Sequence, residues 1–245
     1  MMRIMKKVTI WFLGLSAVLY AGEKTTFYTP QQDLGGLEQN SDTRSDLPNV
    51  LVLGDSISIG YTRPLTALLK NVANVQRPPE NCGNTARGLV RIDAWLGDTK
   101  WDVIHFNWGL HDLCYRSRDK SGKVQRDKIN GKQDVPLEQY EKNLEQLVQR
   151  LEKTGAVLIW ASTTPVPEGE AGRVAGDELE YNAVAEKVMK RHGIMIDDLH
   201  TTAVRFNSSL WAGPGNVHFK PEGSGKLAAQ VAEVVRDGLR IKKAE

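Results

Sequence analysis

Cysteine is scarce in this chain: two in 245 residues, Cys82 and Cys114. So few thiols exclude a disulfide-dense miniprotein. No HExxH, CxxC or aspartate-rich loop is present either, so the sequence asks for no metal and no other cofactor. Charge of one sign is missing, since 32 Lys and Arg meet 30 Asp and Glu for a net charge of +2. Long apolar runs are missing too, apart from one at the N-terminus, and there is no internal repeat. What remains, 40% hydrophobic and 25% charged residues, is the make-up of an ordinary globular protein. The length suits one domain with a sizeable core.

The single apolar run explains the faintly basic balance. Arg3, Lys6 and Lys7 precede an almost unbroken apolar stretch from Val8 to Ala21. A basic start, a short apolar segment and a small residue before polar chain read as a secretory signal over residues 1–21. The stretch is short for a span of about 20 residues. The expected location is periplasmic or secreted, with no membrane contact after cleavage. Removing residues 1–21 leaves 29 cationic against 30 acidic side chains, so the mature chain is not basic. Residues 22–48 lack periodicity and read as a linker or loosely ordered arm; the domain is expected over 49–245.

Within the domain, apolar runs alternate with helical patterns. Val50–Leu53 suits a buried strand ending at Gly54. Pro64 to Lys70 reads as a helix, and Thr85 to Leu96 carries Leu89, Ile92 and Trp95 at helical spacing. Trp101 to Trp108 and Ala156 to Ala161 read as strands. Leu137, Tyr140, Leu144, Leu147, Val148 and Leu151 make the clearest amphipathic helix. Asp177 to His192 reads as a helix, Gly193 to Ile196 as a strand, and Pro221 to Leu239 as a closing helix. This alternation predicts an α/β three-layer sandwich, a central parallel sheet with helices on both faces. Residues 116–134 break the pattern and read as a polar loop too long for an ordinary connection.

The chemistry gathers where strands should end. Gly54-Asp55-Ser56 follows the first strand directly, which places Ser56 at the carboxyl edge of the sheet, where α/β proteins bind ligands. A serine hydroxyl is a weak nucleophile and needs a base, for which histidine has the best-matched pKa. His218 stands in a loop just before the closing helix, within reach if a parallel sheet brings the two loops together.

In these residues the chain resembles the SGNH hydrolases, also called GDSL-type esterases and lipases, from about Asn49 to Leu239. The first block looks like Gly54-Asp55-Ser56-Ile57, with Ser56 at the nucleophile position. Gly83 in Asn81-Cys82-Gly83-Asn84 matches the second block, whose backbone N–H helps bind the oxyanion in the family. His218 matches the general base. The third block, usually Gly-x-Asn-Asp, reads Gly109-Leu110-His111-Asp112, so His111 stands where an asparagine donates to the oxyanion; Asn107 nearby offers an amide instead. The last block, usually Asp-x-x-His, has Gly215 in place of the aspartate. Replacing that acid by its amide costs about 10⁴ in turnover in the serine-protease template. The resemblance therefore implies either a Ser56–His218 dyad oriented by a backbone carbonyl or recruitment of Asp197 or Asp198.

The implied mechanism is two-step acyl transfer: Ser56 attacks an ester carbonyl, His218 takes its proton, and N–H groups of Ser56 and Gly83 with His111 or Asn107 hold the oxyanion. The expected activity is an exported serine esterase acting on acyl, foremost acetyl, esters of a small-molecule or polysaccharide substrate. A lipid esterase or lysophospholipase, or a non-catalytic binding protein on a degraded hydrolase scaffold, are the alternatives. Cys82 and Cys114 lie beside matched blocks, and in an exported protein a single pair favours a disulfide. Residues 116–134 carry seven Lys or Arg against three Asp. That segment reads as a solvated loop, or as a rim that attracts an anionic substrate. Aromatics are absent after Tyr115 there, which speaks against nucleic acid as a partner. Trp108, Trp160 and Trp211 read as packing residues.

Overall fold

The computed structural model describes residues 43–245; the expected signal segment and most of the arm lie outside the described residues. The central sheet has five parallel strands. β1 (Asn49–Leu53), β2 (Asn74–Gln76), β3 (Val103–Phe106), β7 (Val157–Ala161) and β8 (Met195–Asp197) run in the order β2-β1-β3-β7-β8. Val50, Leu51, Val52 and Leu53 are fully buried, as expected for a central strand covered on both faces. The alternative of a half-buried strand would require exposed polar residues at every second position, and in β1, β3 and β7 every residue after the first is buried.

Helices cover both faces. α1 (Ser56–Leu68) and α6 (Pro221–Ala244) pack side by side on one, joined by the short α5 (Leu199–Val204). α2 (Thr85–Leu96), α3 (Leu137–Glu152) and α4 (Asp177–Arg191) stack in sequence order on the other. α3 buries the stripe Tyr140, Leu144, Leu147, Val148 and Leu151, each such leucine stabilising the fold by about 2 kcal/mol. The same stripe holds a buried polar residue, Asn143. Its amide donates to Thr85 Oγ1 at 3.0 Å and so ties α3 to the first turn of α2.

Two expectations change. α1 begins at Ser56 and not near Pro64, which lies inside the helix. Proline usually marks a first turn because it lacks an N–H and its ring crowds the carbonyl four residues back; here that residue is Gly60, the least bulky neighbour available. Residues 116–134 are not a loop. β4 (Tyr115–Arg118), β5 (Val124–Arg126) and β6 (Lys132–Gln133) form a separate antiparallel sheet in the order β5-β4-β6. Asp119 closes the β4–β5 turn, its Oδ1 accepting from the N–H groups of Ser121 (2.8 Å) and Lys123 (3.0 Å). The strands are polar on both sides, so no period-2 alternation betrays them.

Candidate active site

The parallel strands deliver their following loops to one edge. After β1, Asp55 caps α1: its Oδ1 accepts from Ile57 N–H at 2.9 Å. That leaves Ser56 as the first helical residue, with a backbone N–H that has no intrahelical acceptor. The Ser56 hydroxyl thus stands at the positive end of the helix.

His218 reaches that hydroxyl from the other end of the chain. Its loop is pinned by an isolated bridge between Trp211 and Phe219, by Ala212 N–H donating to the His218 carbonyl at 2.9 Å, and by ring contact of Trp211 with Phe219 at 4.6 Å. Pro221 then starts α6, which lies along α1. The adjacency of these two helices brings residues 162 apart in sequence together, with Ser56 Oγ 2.8 Å from His218 Nε2.

The far ring nitrogen has a partner that the sequence did not nominate. His218 Nδ1 lies 2.7 Å from Asn216 Oδ1, which also accepts from the His218 N–H at 3.0 Å. An amide oxygen accepts and cannot donate, so the proton sits on Nδ1 and Nε2 is left to accept from serine. Neither a backbone carbonyl nor Asp197 or Asp198 orients His218. Asp197 is fully buried and pairs with His105 Nε2 at 2.9 Å. Asp198 caps α5, accepting from Thr201 N–H at 3.0 Å and from Ser162 Oγ at 3.0 Å. The asparagine stands two residues before the histidine, whereas the family pattern directs attention three residues before it. Gly215, at that third position, has φ +62°, and a Cβ there would lie 2.7 Å from the Gly169 carbonyl oxygen. An aspartate could not occupy it without moving the 169–170 backbone.

Of the expected oxyanion donors other than the Ser56 N–H, two are occupied and one is open. Gly83 N–H donates to Asn81 Oδ1 at 2.8 Å. Asn107 is committed to β7 and beyond, its Nδ2 donating to the Ala161 carbonyl (2.8 Å) and to Thr163 Oγ1 (3.2 Å). In this structure the Asn107 amide donors secure the strand end. His111 makes no hydrogen bond with any described side chain or backbone group. Burial pushes its imidazole down to about 4; Asp55 opposes that shift, and Arg173 and Arg116 add to it. The ring is thus neutral near pH 7 and carries a single N–H donor.

Asp112, next in the chain, anchors this segment. Its Oδ1 accepts from both Thr85 N–H (2.8 Å) and Thr85 Oγ1 (2.5 Å), while Oδ2 has no partner. Burial pushes its carboxyl up to about 8 against those two hydrogen bonds. Gly109 lies directly against the Thr163 side chain, and any Cβ there would collide with its hydroxyl.

The cysteines are both buried free thiols, so the expected Cys82–Cys114 disulfide is absent. Cys82 N–H donates to the Gly54 carbonyl at 3.2 Å, which fixes the second block beside the first without a covalent clamp. Burial pushes the Cys82 thiol up to about 12, which makes it unreactive. Trp108 and Trp160 are core residues, and Trp211 packs on Phe219. Among the described residues, no group of three or more His, Cys, Asp or Glu could hold a metal ion, and no helix is long and apolar enough to cross a membrane.

Known proteins resemble this chain in sequence family and in fold. The model of the GDSL-like lipase/acylhydrolase family matches residues 52–226. An acetyl xylan esterase, AlAXEase, is similar in structure with a TM-score of 0.62 and 17% identity, covering 76% of this chain and 99% of that one. A lipase/acylhydrolase from Enterococcus faecalis is similar at TM-score 0.59 and 17% identity, covering 78% and 96%. A catalytic mutant of Axe2, an acetylxylan esterase from Geobacillus stearothermophilus, is similar at 0.59 and 15%, covering 76% and 93%. No curated protein matches the chain in sequence.

Proposed function

Since the chain belongs to the GDSL-like lipase/acylhydrolase family and is a hydrolase of ester bonds, we propose that it is an exported serine esterase that removes acyl, foremost acetyl, groups from carbohydrate esters through Ser56, His218 and Asn216. The observation that carries the mechanism is the hydrogen-bonded run from Ser56 Oγ through the two ring nitrogens of His218 to Asn216 Oδ1. Ser56 Oγ attacks the ester carbonyl as its proton passes to Nε2. The imidazolium then gives that proton to the leaving alcohol, and an acyl-serine remains. Water attacks the acyl-serine with His218 again as base, and Ser56 is restored with release of the acid.

Asn216 fixes the tautomer and ring orientation but, being neutral, gives the imidazolium less stabilisation than a carboxylate. The oxyanion is held by Ser56 N–H at the helix N-terminus and by the His111 N–H. A donor of this kind is worth roughly 10²–10³ in rate. Gly83 N–H joins them when the Asn81 side chain yields it. Acetyl ester as the substrate class is supported by the similarity to acetyl xylan esterases. Export is supported by the basic-then-apolar residues 1–21, which lie outside the described residues.

The test is hydrolysis of 4-nitrophenyl acetate and of acetylated oligosaccharides by the mature protein beside Ser56→Ala. The variant is expected to lose at least about 10³-fold in kcat. Equal rates for the two proteins would end the reading. Faster release from long-chain acyl glycerides than from acetylated sugars would replace its substrate with a lipid.

A further inference from the structure

The small β4–β5–β6 sheet places cations abreast. In its register Arg116 pairs with Arg126 on one side and with Lys132 on the other, so three cationic side chains stand in a row on one face. Like charges directly opposite one another destabilise a sheet unless something anionic meets them. Two carboxylates do so in part: Asp134 lies 3.1 Å from Arg116 Nε, and Glu170 lies 3.0 Å from Arg126 Nη1. Glu170 is shared, however, with Arg173 at 2.9 Å. Lys132 is exposed and has no carboxylate partner. Four cations therefore face two carboxylates, an excess of two positive charges. The other acids bonded to this sheet, Asp127 and Asp177, hold Ser117 and Gln133, which alternate with Arg116 and Lys132 and so belong to its opposite face.

This row borders the catalytic groups. Arg173 donates from Nε to the Leu110 carbonyl at 2.6 Å, immediately before His111. Arg126 packs across Gly172, and the Gly169–Glu170 backbone lies against Gly215, next to Asn216. Tyr115 N–H donates to the Gly172 carbonyl at 2.7 Å, which fastens the sheet to the same loop. The sheet is thus held at the rim of the site by its own ion pairs. Lys120, Lys123 and Lys128, all exposed and without a carboxylate partner, extend the positive field along it.

We propose that the Arg116–Arg126–Lys132 row is an anion subsite, and that the natural substrate is an acylated polysaccharide carrying carboxylate or sulfate groups. Guanidinium forks match the oxygen geometry of both groups, and the uncompensated charge attracts a polyanion toward Ser56. A polysaccharide fits better than a nucleic acid, because the three strands carry one aromatic, Tyr115, and nucleic acids need stacking platforms. It fits better than a membrane surface, because the three strands carry a single aliphatic side chain, Val124, among Arg, Lys, Ser and Gln. The inference rests on the esterase reading above.

The experiment compares kcat/KM on an acetylated polyuronide, an acetylated sulfated glycan and neutral acetylated xylan. Wild type, Arg126→Gln/Lys132→Gln and Lys132→Glu are measured side by side. Lys132→Glu alters only an exposed unpaired side chain, so it tests the subsite even where the double variant folds poorly. The anionic-to-neutral ratio of kcat/KM is expected to fall about tenfold in either variant. In wild type that ratio should also fall as ionic strength rises from about 0.05 to about 0.5 M. The polymer on which the ratio falls further identifies the anion. A ratio unchanged by mutation and by salt overturns the subsite while leaving the esterase intact. An inert wild type on all three polymers and on 4-nitrophenyl acetate instead overturns the esterase reading. Stronger competition by anionic phospholipid vesicles or single-stranded DNA than by the deacetylated polyanions would also contradict the proposal.

Discussion

His218 and His105 both contact a hydroxyl through one ring nitrogen and an oxygen acceptor through the other, one at the surface and one in the core. His218 is exposed, meets Ser56 at 2.8 Å and is oriented by the neutral amide of Asn216. His105, fully buried on β3, has Asp197 at 2.9 Å and the Tyr61 hydroxyl at a long 3.4 Å. Asp197 is in turn bonded by Gln230 Nε2 at 2.7 Å, and Thr202 donates to that same Gln230 side chain. The carboxylate pairs with the buried histidine, and the histidine beside Ser56 has an amide. A buried imidazole with an unmet nitrogen costs stability, so a charge-assisted partner is most valuable in the core. At the exposed site water can solvate the imidazolium, and an amide suffices to set the tautomer. A histidine and an aspartate near strand ends are therefore not by themselves a catalytic pair; access to a nucleophile decides.

The contrast can be broken from either side. His218→Ala should lower kcat on 4-nitrophenyl acetate by about 10⁴-fold with little change in melting temperature, since the side chain is exposed. Comparable loss of stability would mean that His218 is a structural residue. Asp197→Ala should do the reverse. It strands His105 Nε2 and Gln230 Nε2 in the core and should cost about 3 kcal/mol in denaturant unfolding, with kcat nearly preserved at a temperature where the variant is folded.

Asn216→Ala should lower kcat about thirtyfold, equivalent to about 2 kcal/mol, with KM largely unmoved. Asn216→Asp should raise kcat above wild type, because a carboxylate at the same place stabilises the imidazolium. A fall in Asn216→Asp would show that the amide serves some purpose besides accepting from Nδ1. An effect of similar size concerns pH. The folded protein keeps the Asp112 proton up to about pH 8, whereas the unfolded chain releases it near its ordinary 3.8. The stabilisation from that bound proton is complete below the lower value and is lost as pH rises toward the upper one. Relative to Asp112→Asn, wild type should lose roughly 2 kcal/mol between about pH 6 and about pH 8. Parallel stability curves for the two proteins would place an ionised carboxylate there.

Much of the fold was legible because its signals are local. Thr85–Leu96 and the Leu137–Glu152 helix declare themselves by apolar spacing, and β1, β3 and β7 by short apolar runs. Strand β2 did not: three residues with one buried side chain, Val75, are too few for any period. The β4–β6 sheet stayed hidden because both of its faces are polar. Ser56 and His218 were readable as a motif separated by a domain's length. Asn216 was not, since the family pattern points to the position of Gly215, where backbone crowding by Gly169 excludes any side chain. The commitments of Asn107 to β7 and of Asp197 to His105 are tertiary facts with no sequence periodicity behind them.

Catalysis through Ser56 requires that its hydroxyl be activated in the resting protein. Reaction with a small alkyl organophosphonate, followed by peptide mass spectrometry, addresses this most directly. One equivalent of label on Ser56 is expected, with none on the other serines, and labelling should be slowed in Asn216→Ala and lost in His218→Ala. No label, or label at an equal rate in His218→Ala, would contradict it.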